Sequence, residues 1–141
     1  MSQFPLNPGQ LTLADLRAWY FEPQQLELAE SAIEDIERSA ATVQKVLDKG
    51  RVVYGINTGF GQLAQTVVPA ERLLDLQKNL VRSHSAGVGE PLDDAVVRLT
   101  LLLKVASLAR GRSGVRPVIV DTLSRLLERE IYPVIPSKGS V

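Results

Sequence analysis

The sequence predicts a mostly α-helical protein. Three observations carry this: apolar residues recur at helical spacing over most of the chain, capping signatures precede those stretches, and strand-like runs are few and short. At 141 residues with 45% hydrophobic content, the chain suits one domain or part of a larger one. Lys+Arg and Asp+Glu balance at 16 each, so bulk charge does not point to nucleic acid or an anionic membrane. There is no cysteine, which excludes disulfides and thiolate zinc sites, and the single histidine excludes a multi-histidine metal site within the chain. The N-terminal MSQFPLNPGQ has no basic and apolar signal-peptide pattern. The most apolar run, Ala95 to Leu108, is too short and too charged to span a bilayer, with Arg98 and Lys104 inside it. A soluble cytoplasmic protein is the default expectation.

In chain order, Pro8-Gly9 marks a turn. Thr12 with Asp15 three residues on is a capping-box pattern opening a short helix through Tyr20. Ser31 and Glu34 repeat the pattern, and Ile33, Ile36, Ala40, Val43 and Leu47 form one face of an amphipathic helix that Lys49-Gly50 ends. RVVY is a short β-prone piece. The glycine-rich YGINTGFGQLA comes next, from Tyr54 to Ala64. Pro69 suits a helix first turn, with Leu73, Leu76, Leu80 and Val81 on one side of the next helix and AGVGEP as its break. Asp93 or Asp94 opens a helix that is apolar nearly all round, which requires burial on several sides. Gly111 closes it. Val118, Ile119, Leu123, Leu126 and Leu127 are the apolar set of the last helix, and Pro133 and Pro136 interrupt the pattern beyond it. The all-round apolar helix implies a larger helical domain, an oligomer, or both.

The glycine loop admits three readings. It suits a surface turn, since glycine permits positive φ. GFGQLA also fits a dinucleotide fingerprint, but no second strand and no directly following helix accompany it, so a nucleotide site is disfavoured. A hinged active-site lid is the third reading, with Tyr54 at its edge and Asn57 and Thr58 supplying hydrogen bonds within the loop. A tyrosine is a poor base unless its surroundings favour the phenolate, so Tyr54 taken alone reads first as an ordinary half-buried strand tyrosine. His84 stands at a helix end before a glycine break. It reads either as a histidine favoured by the helix dipole or as a substrate contact. The flanking Ser83 and Ser85 do not make a hydrolase with it, because nucleophile and base usually come from distant segments.

Four segments in order and register, YGINTGFGQLA, LQKNLVRSHSAGVGEPL, LLKVASLARGRSGVRP and YPVIPSKGSV, resemble the aromatic amino acid ammonia-lyases, above all their histidine-acting branch. The resemblance covers about Tyr54 to Val141. It implies an all-α helical bundle of the fumarase/aspartase-like type, in which residues 1–50 form N-terminal helices, 51–68 the lid and 69–141 the core helices. It implies a homotetramer with active sites shared between subunits, acting on L-histidine to give trans-urocanate and ammonia. The implied cofactor is 4-methylideneimidazol-5-one, formed from an Ala-Ser-Gly expected just after Val141, with no metal and no nucleotide. The implied catalytic base is Tyr54 and the implied substrate contact is His84. Gly55, Asn57, Thr58, Gly59, Phe60 and Gly61 would form the lid. A tyrosine ammonia-lyase or aminomutase of the same family, or a catalytically inactive helical binding module, are the alternatives.

Overall fold

The structure is a computed structural model that describes residues 3–54, 56–59 and 67–139. Five α-helices dominate the described residues, as the periodicity predicts: α1 (Leu13–Phe21), α2 (Glu30–Asp48), α3 (Leu73–His84), α4 (Asp94–Leu108) and α5 (Pro117–Glu128). Four short strands accompany them: β1 (Gln3–Leu6), β2 (Gln25–Leu28), β3 (Val88–Pro91) and β4 (Pro136–Lys138). The chain forms two compact units, Met1–Ala41 with Pro91–Ile135, and Thr42–Glu90 with Pro136–Val141.

In the first unit, β1 and β2 pair in parallel, from Gln3 opposite Gln25 to Leu6 opposite Leu28. Parallel neighbours need a crossover, and α1 supplies it. The capping box at α1 forms as the sequence predicts. The Asp15 amide donates to Thr12 Oγ1 at 3.2 Å, and the Thr12 amide donates back to Asp15 Oδ2 at 2.8 Å. These bonds to Thr12, through its backbone and then its side chain, hold the Asp15 carboxyl below its ordinary pKa.

The second predicted capping box does not form. Ser31 lies inside α2, which begins at Glu30, and the Ala29 carbonyl accepts from the amides of Ala32 at 2.9 Å and Ile33 at 3.4 Å. Strand β2 runs to Leu28, so the helix has to begin almost at once. The buried face shifts accordingly: Ala32 and Ile36 are buried, whereas Ile33 is 44% exposed.

The apolar α4 packs against both α1 and α5. Leu102, Val105, Val97, Val120 and Leu127 are essentially inaccessible, as are Trp19 and Leu6. Phe4 meets Trp19 edge to face with ring centroids 5.7 Å apart, a favoured aromatic geometry. Arg98 is buried on α4, and its Nη1 donates to the Trp19 carbonyl at 3.1 Å, one of the last carbonyls of α1. Its guanidinium also lies 5.6 Å from the centre of the Tyr132 ring. Burial raises the pKa of that phenol, with the nearby Arg98 charge opposing the shift.

Gly111 ends α4 with φ +62°, and a Cβ there would stand 2.5 Å from the backbone carbon and oxygen of Asp35. Only glycine allows that turn to lie against α2. Further along the same connection, Gly114 donates its amide to Ser39 Oγ at 2.9 Å.

Candidate functional site

The predicted site residues that the structure describes lie in the second unit. RVVY forms no strand. Instead, the Val53 amide donates to Asn57 Oδ1 at 2.9 Å and Asn57 Nδ2 donates to the Arg51 carbonyl at 2.8 Å. The Val53 carbonyl accepts from the amides of Ile56 at 3.1 Å and Asn57 at 3.3 Å. Backbone groups that would have extended a strand are thus spent on a turn stapled by one asparagine side chain. The Asn57 carbonyl then accepts from the Val68 amide at 2.9 Å, and Thr58 bridges to Val67 in antiparallel fashion.

Asn57, Thr58 and Gly59 are buried, and Thr58 Oγ1 donates to the Gly59 carbonyl at 3.0 Å. Asn57 and Thr58 thus both make local hydrogen bonds, to Arg51, Val53 and Gly59. Tyr54, at the mouth of this turn, is 63% exposed. Gly55, Phe60 and Gly61 of the predicted lid lie outside the described residues.

His84 is the last residue of α3 and is exposed. The helix end is satisfied largely by side chains. Ser83 Oγ donates to the Leu80 carbonyl at 3.0 Å, and Ser85 Oγ donates to the Val81 carbonyl at 2.6 Å. His84 Nδ1 lies 2.8 Å from the same Leu80 carbonyl and 3.0 Å from Ser83 Oγ. The helix-terminal role read from the sequence is therefore present, and the imidazole edge carrying Nε2 is left for other contacts.

The segment after His84 was not legible as structure in the sequence. AGVGEP contains β3, which pairs with β4. A Cβ on Gly87 would come within 2.7 Å of the Pro136 ring, and one on Gly139, where φ is +112°, within 2.6 Å of the Ala86 carbonyl oxygen. The small residues of SHSAGVG thus permit close approach of the segment Pro136–Gly139, and they bring it to within a few residues of His84 along the chain. The clustering of glycines in two separated motifs was the only available signal.

Among the described residues, no group of three or more His, Asp or Glu side chains is placed to hold a metal ion. No helix among them is long and apolar enough to cross a membrane. A groove of about 430 Å³ in the first unit, lined by Leu26, Leu28, Ile33, Pro117 and Val120 among others, contains none of the predicted site residues.

The sequence model described as "Aromatic amino acid lyase" matches residues 11–141. Over all 141 residues the chain is 59% identical to the histidine ammonia-lyase of Idiomarina loihiensis, of which it spans 28%. The crystal structure of histidine ammonia-lyase from Trypanosoma cruzi superposes with a TM-score of 0.88 at 36% identity, covering 98% of this chain and 26% of that one. Tyrosine aminomutase from Streptomyces globisporus superposes with a TM-score of 0.92 at 30% identity, again over 98% of this chain and 26% of the other. The chain therefore spans just over a quarter of the length of the relatives it matches. With matching motifs, fold and sequence over nearly its whole length, the chain belongs to the aromatic amino acid lyase family.

Proposed function

We propose that the complete protein is a carbon–nitrogen lyase that converts L-histidine to trans-urocanate and ammonia. The observation that carries this reading is the 59% identity to a histidine ammonia-lyase, which extends through the Tyr54 and His84 motifs without a gap in coverage. The cofactor would be 4-methylideneimidazol-5-one, formed from an Ala-Ser-Gly following Val141. What supports this reading is that β4, the last strand before that point, lies against Gly87 and Gly89, a few residues beyond the histidine assigned to the substrate.

When present, this group supplies the electron sink that eliminating an amine next to a barely acidic C–H requires. The chain's own residues do the rest. Tyr54 Oη takes the β-proton as general base, and His84 holds the substrate ring. The glycine loop from Gly55 to Gly61 closes over the site and excludes water. A polar ring at position 84 suits imidazole or phenol. Bound phenyl would leave it unpaired, at a cost of about 1–3 kcal/mol.

A cytoplasmic homotetramer with shared active sites completes the reading. Helix α3 supports it, since none of its residues is buried and Leu74 and Val81 are 65% and 69% exposed. Such an apolar stripe suits burial in a larger assembly.

The test is to supply L-histidine to the complete protein and follow urocanate absorbance, with and without borohydride treatment. Urocanate formation that borohydride abolishes supports the proposal. Turnover of tyrosine with none of histidine moves the assignment to a tyrosine lyase or aminomutase, and no turnover of either rejects it.

A further inference from the structure

The contacts of His84 determine more than its position. A backbone carbonyl oxygen only accepts hydrogen bonds, and the Leu80 oxygen lies 2.8 Å from His84 Nδ1. A bare Nδ1 at that distance would set two lone pairs against each other. A protonated Nδ1 makes a hydrogen bond of ordinary length. The neighbouring hydroxyl agrees with the second arrangement. Ser83 Oγ directs its single hydrogen to the Leu80 carbonyl at 3.0 Å, so its oxygen faces Nδ1, 3.0 Å away, as an acceptor.

Which imidazole nitrogen carries the proton is set by the hydrogen bond that the other edge makes. We propose that the Leu80 carbonyl locks neutral His84 as its Nδ1–H tautomer, so that Nε2 faces the substrate as an acceptor and the site selects rings bearing a hydrogen-bond donor. Leu80 is the positioning residue in this arrangement, acting through His84 by its backbone carbonyl. The proposal rests on the assignment of His84 to the substrate ring and deepens it. An imidazole N–H or a phenol O–H satisfies Nε2, whereas phenyl and ring N-methylated substrates do not.

Gaining the bond to Leu80 in one tautomer, and opposing lone pairs in the other, shifts the tautomer ratio at least about tenfold from that of free imidazole. His84 is the only histidine among residues 1–141, and in the ring-¹⁵N-labelled complete enzyme its pair of signals is identified as the one missing from His84→Gln. Long-range ¹H–¹⁵N correlation is read at about pH 8.5, well above the ordinary imidazole pKa of about 6.5. The expected result is a protonated Nδ1 and an unprotonated Nε2, unchanged in Ser83→Ala because the carbonyl remains. Predominance of the Nε2–H form, or a switch to it in Ser83→Ala, overturns the assignment.

In the complete enzyme, His84→Gln keeps an acceptor and should hold KM for L-histidine within roughly tenfold, whereas His84→Lys, a donor only, should raise it about 100-fold or more. Equal increases overturn the selectivity half of the proposal. An Nδ1–H signal in a protein that makes no urocanate rejects the histidine lyase reading alone. An Nε2–H signal in an active enzyme rejects the tautomer lock alone.

Discussion

Replacing Gly111 by alanine tests whether the α4–α5 turn is built on backbone contact. The backbone there has φ +62°, which costs an L-residue about 1–2 kcal/mol. The added Cβ would stand 2.5 Å from the Asp35 carbon and oxygen, and these are backbone atoms of α2 that no rotamer change can move. Forcing the turn away from α2 is an overpacking event worth about 1–3 kcal/mol. The sum is about 2–5 kcal/mol, a large part of the stability of an ordinary domain.

Gly9 is the internal control. It belongs to the same compact unit and has φ +85°, but a Cβ there meets nothing within 4 Å. Gly9→Ala should therefore cost only the conformational part, about 1–2 kcal/mol. For a chain of this size, 1 kcal/mol corresponds to about 4 °C in Tm. Thermal unfolding followed by far-UV circular dichroism should show Gly111→Ala melting below Gly9→Ala by roughly 4–12 °C. Equal Tm values for the two variants would mean that the turn does not press on α2 and would refute the reasoning.

Thr12→Ala should destabilise the protein by about 1 kcal/mol at neutral pH through loss of the α1 cap. Hydrogen bonding lowers the folded-state pKa of Asp15 below 3.8, so its stabilising contribution is present above the unfolded value and is lost as pH falls through the folded one. The gap between wild type and Thr12→Ala in urea unfolding should therefore narrow below about pH 4, and a gap constant through that range contradicts the capping box. Leu102→Ala removes a fully buried side chain from the centre of α4 and should cost about 2–5 kcal/mol in the same assay. In the complete enzyme, Tyr54→Phe should keep the assembly and lower kcat by roughly 10²–10⁴-fold; near-normal turnover excludes Tyr54 as the base. His84→Leu should raise KM for L-histidine while far-UV circular dichroism stays unchanged, and an unaltered KM leaves His84 only its helix-terminal bonds.

Local chemistry was enough to read the helices. Apolar spacing and the Thr12–Asp15 cap are properties of neighbouring residues, and the five helices and that cap form where these signals predict them. The family was legible for a related reason, since segments that need particular residues at particular spacings keep their pattern in the linear sequence. Pairing between distant segments was not legible. The parallel β1–β2 pair moved the start of α2 and exposed Ile33, and the β3–β4 pair turned an apparent glycine break into a strand. Asn57 diverted RVVY from strand to turn by competing for its backbone hydrogen bonds. Short-range preferences are written residue by residue, whereas long-range pairings are settled only when backbone donors and acceptors from separate segments compete for one another in the folded chain.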